Sequence, residues 1–487
     1  MKKIVIDPIT RLEGHGKITI FLNDEGEVAN CYFQVPELRG FEQFSVGRPV
    51  EEMPRITTRI CGVCPEAHHM ASAKACDAVY HVEPPPAAKK LRELLYSCFF
   101  VGDHTLHFYA LGGPDFVVGP DAPAAERNIL GVIGKVGLEA GKKVIELRKR
   151  AQHAVSLIGG KAIHPVTSIP GGQAKPLTAE ERDQILEHTG YFVEFAKFTL
   201  GVVENVVLKN PAYVDLILNG PYTQRIYSMG TVDANNCVNF YDGLVRVTDP
   251  EGKEFVKFHP KDYLNVLAEH VEPWTYLKFP FLKRVGWKGF VDGKDSGLYR
   301  ATPLSRLNAA DGMATPLAQA EYERMYATLG GKPVHYTLAT HWARVIELMY
   351  AAERASELVR DEEILSPKVR TIPTATPTEG VGCVEAPRGT LYHHYWTDAQ
   401  GILKRVNLIV GTTNNHAPIS LAIRQAAFGL IRRGTEITDG VLNRIEMAFR
   451  AFDPCFGCAT HSLPGKMPLE VEVRDPDGTL VASRKRV

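Results

Sequence analysis

The spacing of apolar and polar positions changes several times along the chain. Residues 3–7 are apolar and β-branched. Residues 16–22 and 28–34 flank the turn-forming Asn23, Asp24, Glu25 and Gly26, which predicts a hairpin. From Pro65 to about His81 the period becomes helical, and Pro84, Pro85 and Pro86 stop that helix and open another over roughly 87–111. A long amphipathic stretch runs from about 122 to 158. Thr178 with Glu181 forms a capping box ahead of a second, at about 179–208. Two such segments predict a helical hairpin or bundle. Residues 212–312 are mixed, with a turn at Asp249-Pro250-Glu251-Gly252 and short strands at 223–229 and 236–248. Helices resume near 315–329 and 338–360. The stretch 367–390, with Pro367, Pro373, Pro377 and Pro387, reads as loop. A strand at 404–410 and helices near 417–432 and 435–451 follow, and 469–483 reads as a hairpin around Pro476-Asp477-Gly478. The sequence has no internal repeat. The pattern predicts an α+β chain, mainly α, with a bundle of long helices and small peripheral sheets in one body.

Composition narrows the function classes. Of 487 residues, 45% are apolar and 23% charged, the balance of an ordinary globular protein. Lys+Arg and Asp+Glu both number 56. That balance argues against a protein whose main work is neutralising nucleic-acid phosphates. The sequence holds no apolar run near the ~18 residues a membrane span needs. In the opening MKKIVIDPIT, Asp7 and Pro8 interrupt any signal-like apolar region, so the expectation is a cytoplasmic chain without an export signal. Nine cysteines, an odd number, argue against a disulfide framework and for a reducing compartment.

Cys31, Cys76, Cys98, Cys237 and Cys383 stand singly and read as small buried hydrophobes. The other four form two C-x-x-C pairs, Arg59-Ile-Cys61-Gly-Val-Cys64-Pro65-Glu-Ala-His68 and Asp453-Pro-Cys455-Phe-Gly-Cys458-Ala-Thr-His461. Such a turn lets two sulfurs converge on one metal, and two turns supply four thiolates. Pro65 suits a first helical position, which places Cys64 at a helix N-terminus, where a thiolate is favoured. His68 follows one turn later, on the face that could hydrogen-bond the Cys64 sulfur. Zinc sites keep their pairs within tens of residues, whereas roughly 390 separate these. A thioredoxin-like pair needs a single C-x-x-C in a βαβ context. From spacing alone, structural zinc, an open redox or catalytic metal and unrelated thiols all remain open, and the metal could be nickel, iron or zinc. If the pairs share a site, the first and last quarters of the chain must meet.

Four segments together resemble the large, catalytic subunit of nickel–iron hydrogenases: Arg11-Leu-Glu13-Gly-His15, the Cys61/Cys64 motif, Glu385-Ala-Pro387-Arg388-Gly-Thr390 and the Cys455/Cys458 motif. They run from residue 11 to 461 in the family's order. Arg39-Gly-Phe-Glu42 and Pro65-Glu-Ala-His68-His69 look like the cytosolic type associated with heterodisulfide reductase, also called methyl-viologen-reducing. The NAD-coupled type is the near alternative. A different class, a scaffold related to the quinone-site subunit of complex I with a structural four-cysteine metal site, is the competing reading. Those relatives lack the four cysteines.

The resemblance implies residue roles. Cys61, Cys64, Cys455 and Cys458 would bind nickel. Cys64 and Cys458 would also bridge to an iron carrying carbon monoxide and cyanide. Glu13 would relay protons beside Cys455, and Arg388, Asp103 and Asp453 would form a polar canopy. Pro387 and Thr412 would line the pocket of the diatomic ligands. Glu42 and His461, with a backbone carbonyl near Leu408, would hold magnesium (or ferrous iron). Splitting H2 heterolytically needs a Lewis-acid metal and a nearby base; a terminal thiolate or the Arg388 guanidine could serve, and the sequence does not choose. Taken alone, Glu13 beside Arg11 reads as a surface ion pair and Asp103 as a solvated helix position. His15, His69, His393, His394 and His416 read as packing or hydrogen-bonding residues.

Electrons would leave through an iron–sulfur small subunit, because no spare cysteines are spaced for a cluster. An electron-transfer partner, heterodisulfide-reductase- or NAD-linked, would follow. No G-x-G-x-x-G follows a strand, so no nucleotide is expected on this chain. Residues 1–461 read as one hydrogenase domain. Residues 462–487 read as a propeptide cut after His461 by a maturation protease.

Overall fold

Three antiparallel strands, Lys2–Ile6, Lys17–Leu22 and Val28–Gln34, form the N-terminal sheet in a computed structural model that describes residues 2–461, 469–475, 477 and 479–486. Period-two alternation turns Ile18, Ile20 and Phe33 inward. There they join Ile419 and Ile423 of the His416–Leu430 helix, Phe449 of the Asp439–Arg450 helix, and Phe452 and Phe456 beyond it. These N-terminal and C-terminal segments thus share one apolar core, which brings residue 13 to residue 455.

The main core lies between four long helices: Pro86–Leu106, Leu138–Gly159, Ala179–Val202 and Thr340–Leu358. Against their flank the Pro65–Val79 helix rests on the sheet Glu379–Ala386, Gly389–Thr397, Leu403–Ile409. The contact is close because the helix offers Ala67, Ala71 and Ala75 and the strand offers glycine. A Cβ on Gly382 would sit 1.9 Å from the Ala71 carbonyl oxygen. Pro65 opens this helix, as predicted from the sequence. Thr178 and Glu181 form the expected reciprocal cap.

Four expectations change. The stretch 122–158 is two helices, Ile129–Val136 and Leu138–Gly159, because Gly137 takes φ +92° between them. Asn128 supplies a cap that delays the start, accepting from the N–H groups of Leu130 and Gly131. Loop ends near 378, since Glu379–Ala386 pairs along its length with Gly389–Thr397 and Pro387 sits in the tight turn between them. The 236–248 strand is two short strands, Cys237–Val238 and Leu244–Thr248. The 87–111 and 179–208 helices each end in a π-helical turn, His107–Gly112 and Val203–Leu208. In the tail, Leu469–Arg474 pairs antiparallel with Leu480–Arg486 as expected, while Pro476 and Gly478 lie outside the described residues. Among the described residues, no helix is long and apolar enough to cross a membrane.

Candidate metal centre

The four motif cysteines meet. Their sulfurs all lie within 4.8 Å of one another, and they form the one such cluster of potential ligands among the described residues. Cys61 Sγ is 3.4 Å from Cys455 Sγ, and Cys64 Sγ is 3.2 Å from Cys458 Sγ. All four are buried. Hydrogen bonds from Cys455, then Cys458 and Cys64, hold the Cys61 thiol well below its ordinary range, while burial pushes Cys455 and Cys458 up. Four buried sulfurs converging this closely form a donor set that a cation can hold as thiolates, the metal taking the charge that burial otherwise disfavours. The donor set fits a soft divalent metal such as nickel.

Glu13 reaches this cluster through its backbone. Its C=O accepts from Phe456 N–H at 3.0 Å, and its N–H donates to the Pro454 carbonyl. The carboxylate then accepts from Gly457 N–H at 2.9 Å and from the Cys455 thiol at 3.0 Å. Burial and then the Cys61 charge raise its pKa. Gly457 is required there, because a Cβ would fall 2.6 Å from Glu13 Oε1. The pairing of Glu13 with Arg11 does not form. Arg11 instead binds Asp115, Asn443 and the Leu111 carbonyl.

Above the cysteines Arg388 joins both expected acids, with Asp103 Oδ1 at 3.2 Å and Asp453 Oδ2 at 3.0 Å. Asp103 is buried rather than solvated. Burial raises the Asp453 carboxyl to about 7 against the opposing pull of Arg388 and Arg344. The Arg388 guanidinium is held well above its ordinary pKa by Asp103 and Asp453, which overcome the cost of burial. Thr412 Oγ1 accepts from Cys455 N–H at 3.0 Å, and Pro387 forms the turn before Arg388.

One expected contact differs. His68 does not bond the Cys64 sulfur. Its Nδ1 pairs with His393 Nε2 at 3.1 Å, its Nε2 has no partner among the described residues, and burial lowers its pKa to about 4. The Gly389–Thr397 strand, read as loop up to 390, supplies His393 as the competing partner. Leu408 N–H donates to Glu42 Oε1 at 2.8 Å, so the backbone at Leu408 lies beside the Glu42 carboxyl. Burial lifts the Glu42 carboxyl to about 6. His461 is buried with Nε2 against the Cys458 carbonyl and Nδ1 unpartnered among the described residues. The remaining histidines keep their packing roles: His69 bridges Pro54 and Ser168, His394 joins Tyr263 and Glu379, and His416 stacks on Phe279.

Sequence reading missed the residues that hold Arg388 in place. Arg306, fully buried, binds Glu347 through two nitrogens (2.6 and 2.7 Å), Glu385 (3.1 Å), and the Ala386 and Pro387 carbonyls (3.0 and 3.2 Å). Asn415 Nδ2 donates to the Arg388 carbonyl at 2.6 Å. Arg306, Glu347 and Asn415 lie outside every motif, and only burial reveals them.

Four buried cysteine sulfurs converge beneath an arginine–carboxylate cluster, in a helical body that joins distant parts of the chain, and this is the make-up of a buried metal site. Comparison with known proteins supplies the family. A nickel-dependent hydrogenase family model matches residues 39–128 and 299–461, and a HoxL-like model matches 3–38. The chain is 50% identical over 481 residues to an iron-sulfur subunit of an F420-non-reducing hydrogenase of Archaeoglobus profundus, covering 99% of each. It is 38% identical to the beta subunit of the NAD-reducing hydrogenase HoxS of Cupriavidus necator, covering 100% of each. A solved NAD+-reducing [NiFe]-hydrogenase in the H2-reduced state superposes with TM-score 0.89 at 36% identity, over 95% of this chain and 100% of that one. The chain belongs to the nickel-dependent hydrogenase large-subunit family. It is the catalytic subunit, and the reaction is the reversible cleavage of H2 to protons and electrons.

Proposed function

We propose that Cys61, Cys64, Cys455 and Cys458 would hold nickel, and that Cys64 and Cys458 would also hold an iron carrying carbon monoxide and cyanide. The observation that carries this is the convergence of the four sulfurs within 4.8 Å. When bound, the bimetallic centre supplies the Lewis acidity and redox change for heterolytic H2 cleavage. Pro387 and Thr412 border the diatomic ligands. Arg388, held by Asp103 and Asp453, presents a fixed guanidinium to the open side of the centre, where it orients the reacting molecule and excludes water. Glu13 accepts the proton that leaves Cys455 Sγ, across the 3.0 Å contact between thiol and carboxylate. His68 backs the first cysteine turn through its bond to His393 rather than through sulfur.

Glu42 and His461, with a backbone carbonyl near Leu408, would hold a magnesium or ferrous ion near the end of the 1–461 domain. Residues 462–487 form a propeptide cut after His461 by a maturation protease. Residues 462–468, at the proposed cut, lie outside the described residues. Electrons pass to an iron–sulfur small subunit, then to a heterodisulfide-reductase- or NAD-linked partner, in the cytoplasm.

Metal analysis and infrared spectroscopy of the purified complex test the reading. About one nickel per chain with bands in the carbonyl and cyanide region is expected. Zinc alone, with no such bands, overturns it. Intact mass of active enzyme tests the propeptide, and an active chain that retains Val487 would refute the cut.

A further inference from the structure

The canopy residues Arg388 and Asp453 come from two separate segments, a strand turn and the loop before the second cysteine pair. One side chain outside all four motifs touches both segments. Arg344 lies on the Thr340–Leu358 helix and is fully buried. Its Nη1 donates to Asp453 Oδ2 at 3.3 Å and to the Pro387 carbonyl at 3.4 Å, and its Nη2 donates to the Ala451 carbonyl at 3.2 Å. Arg388 Nη2 meets the same Asp453 oxygen at 3.0 Å. Asp453 needs such restraint: its backbone sits at φ +55°, a conformation L residues rarely adopt.

We infer that Arg344 is a positioning residue for the reaction, fixing Asp453 and the Pro387–Arg388 turn relative to one another. The inference rests on the reading that Arg388 and Asp453 roof the reacting centre. Arg344, Arg388, Asp103 and Asp453 are all buried, and both guanidinium groups meet the one Asp453 carboxyl. Only the planar fork of arginine reaches three acceptors in two segments; a lysine ammonium is a point charge. The same helix carries Glu347, which fixes Arg306 on the Ala386 and Pro387 carbonyls. The helix is thus a backing plate for the turn.

Arg344→Gln and Arg344→Lys, each made alone and with Asp453→Asn in the intact complex, test the assignment. Arg344→Gln keeps its nickel and its KM for H2, while kcat falls roughly tenfold to a hundredfold, as expected for a displaced orienting group. Arg344→Lys restores little of this. In the Asp453→Asn background either change lowers kcat by less than it does in the wild type, because the Asp453 part of the restraint is already gone and only the Pro387 contact remains. Wild-type kcat in Arg344→Gln, or a full independent loss on top of Asp453→Asn, overturns the inference. Normal turnover of Asp453→Asn alone would instead sink the canopy reading beneath it. A crystal structure of Arg344→Gln gives a readout apart from turnover: Arg388 shifted off Asp453 supports the role, and Arg388 unmoved at 3.0 Å refutes it.

Discussion

Glu13 shows how a side chain acquires a role from its neighbours. As Arg11-Leu-Glu13 it reads as half of a surface ion pair. In the folded chain Asp115 takes Arg11, and the Cys455–Gly457 turn takes Glu13. Glu13→Gln keeps the hydrogen-bonding shape but cannot accept the proton. The expected outcome is a normal metal content with H2/D2O exchange slowed roughly tenfold to a hundredfold; exchange at the wild-type rate would reject the relay. Cys458→Ser replaces a soft ligand with a hard hydroxyl. Nickel content and hydrogen uptake should both be lost, measured by elemental analysis and a gas-uptake assay. Motif resemblance alone pointed to both residues in the sequence, since spacing left zinc and unrelated thiols open. Arg306 and Asn415 left no trace in it, because what marks them is the absence of water.

Among the elements, the turn between Glu379–Ala386 and Gly389–Thr397 aims Arg388. Its backbone passes so close to its surroundings that a Cβ on Gly389 would lie 2.6 Å from the carbonyl oxygens of both Ala301 and Gly411, and its φ is +145°. Gly389→Ala should therefore lower stability by about 1–3 kcal/mol and reduce turnover by swinging Arg388 out. Thermal denaturation paired with an activity assay checks this, and an unchanged melting temperature with full turnover would contradict it. The sequence obscured this strand because Pro367, Pro373, Pro377 and Pro387 mark loop on average. Pro387 in fact occupies the hairpin turn, where it needs no ladder hydrogen bond. The break at Gly137 was similarly hidden, since the apolar period continues on both sides of it.

Across the molecule, burial of polar rings shapes the response to pH. Desolvation lowers His69, His104 and His335 to about 4, and His341 and His416 to about 3. Each stays neutral when folded, while the unfolded chain binds a proton near pH 6.5. The stability they contribute is complete above pH 6.5 and is lost as pH falls from there toward 4. Each histidine costs up to about 1.4 kcal/mol per pH unit in that window. Urea midpoints measured from pH 8 to pH 4.5 should fall below 6.5, less steeply than the five histidines alone would give, because the raised Glu42 and Asp453 carboxyls act in the opposite direction. A flat profile would show that these rings are hydrated in the folded state.

Local elements and the chemical identity of the centre were already written in the order of residues. Helical period, the Pro65 start and the Thr178 cap act over a few residues, and the four motifs carry the thiol and carboxylate types the chemistry needs. Which groups lose water, and which charges meet, was settled only by folding. Folding set Arg11 on Asp115 instead of Glu13, turned His68 to His393 instead of sulfur, and placed Arg344 between two distant segments. Those outcomes depend on desolvation and on distances across hundreds of residues of chain, and neither quantity exists until the core has closed.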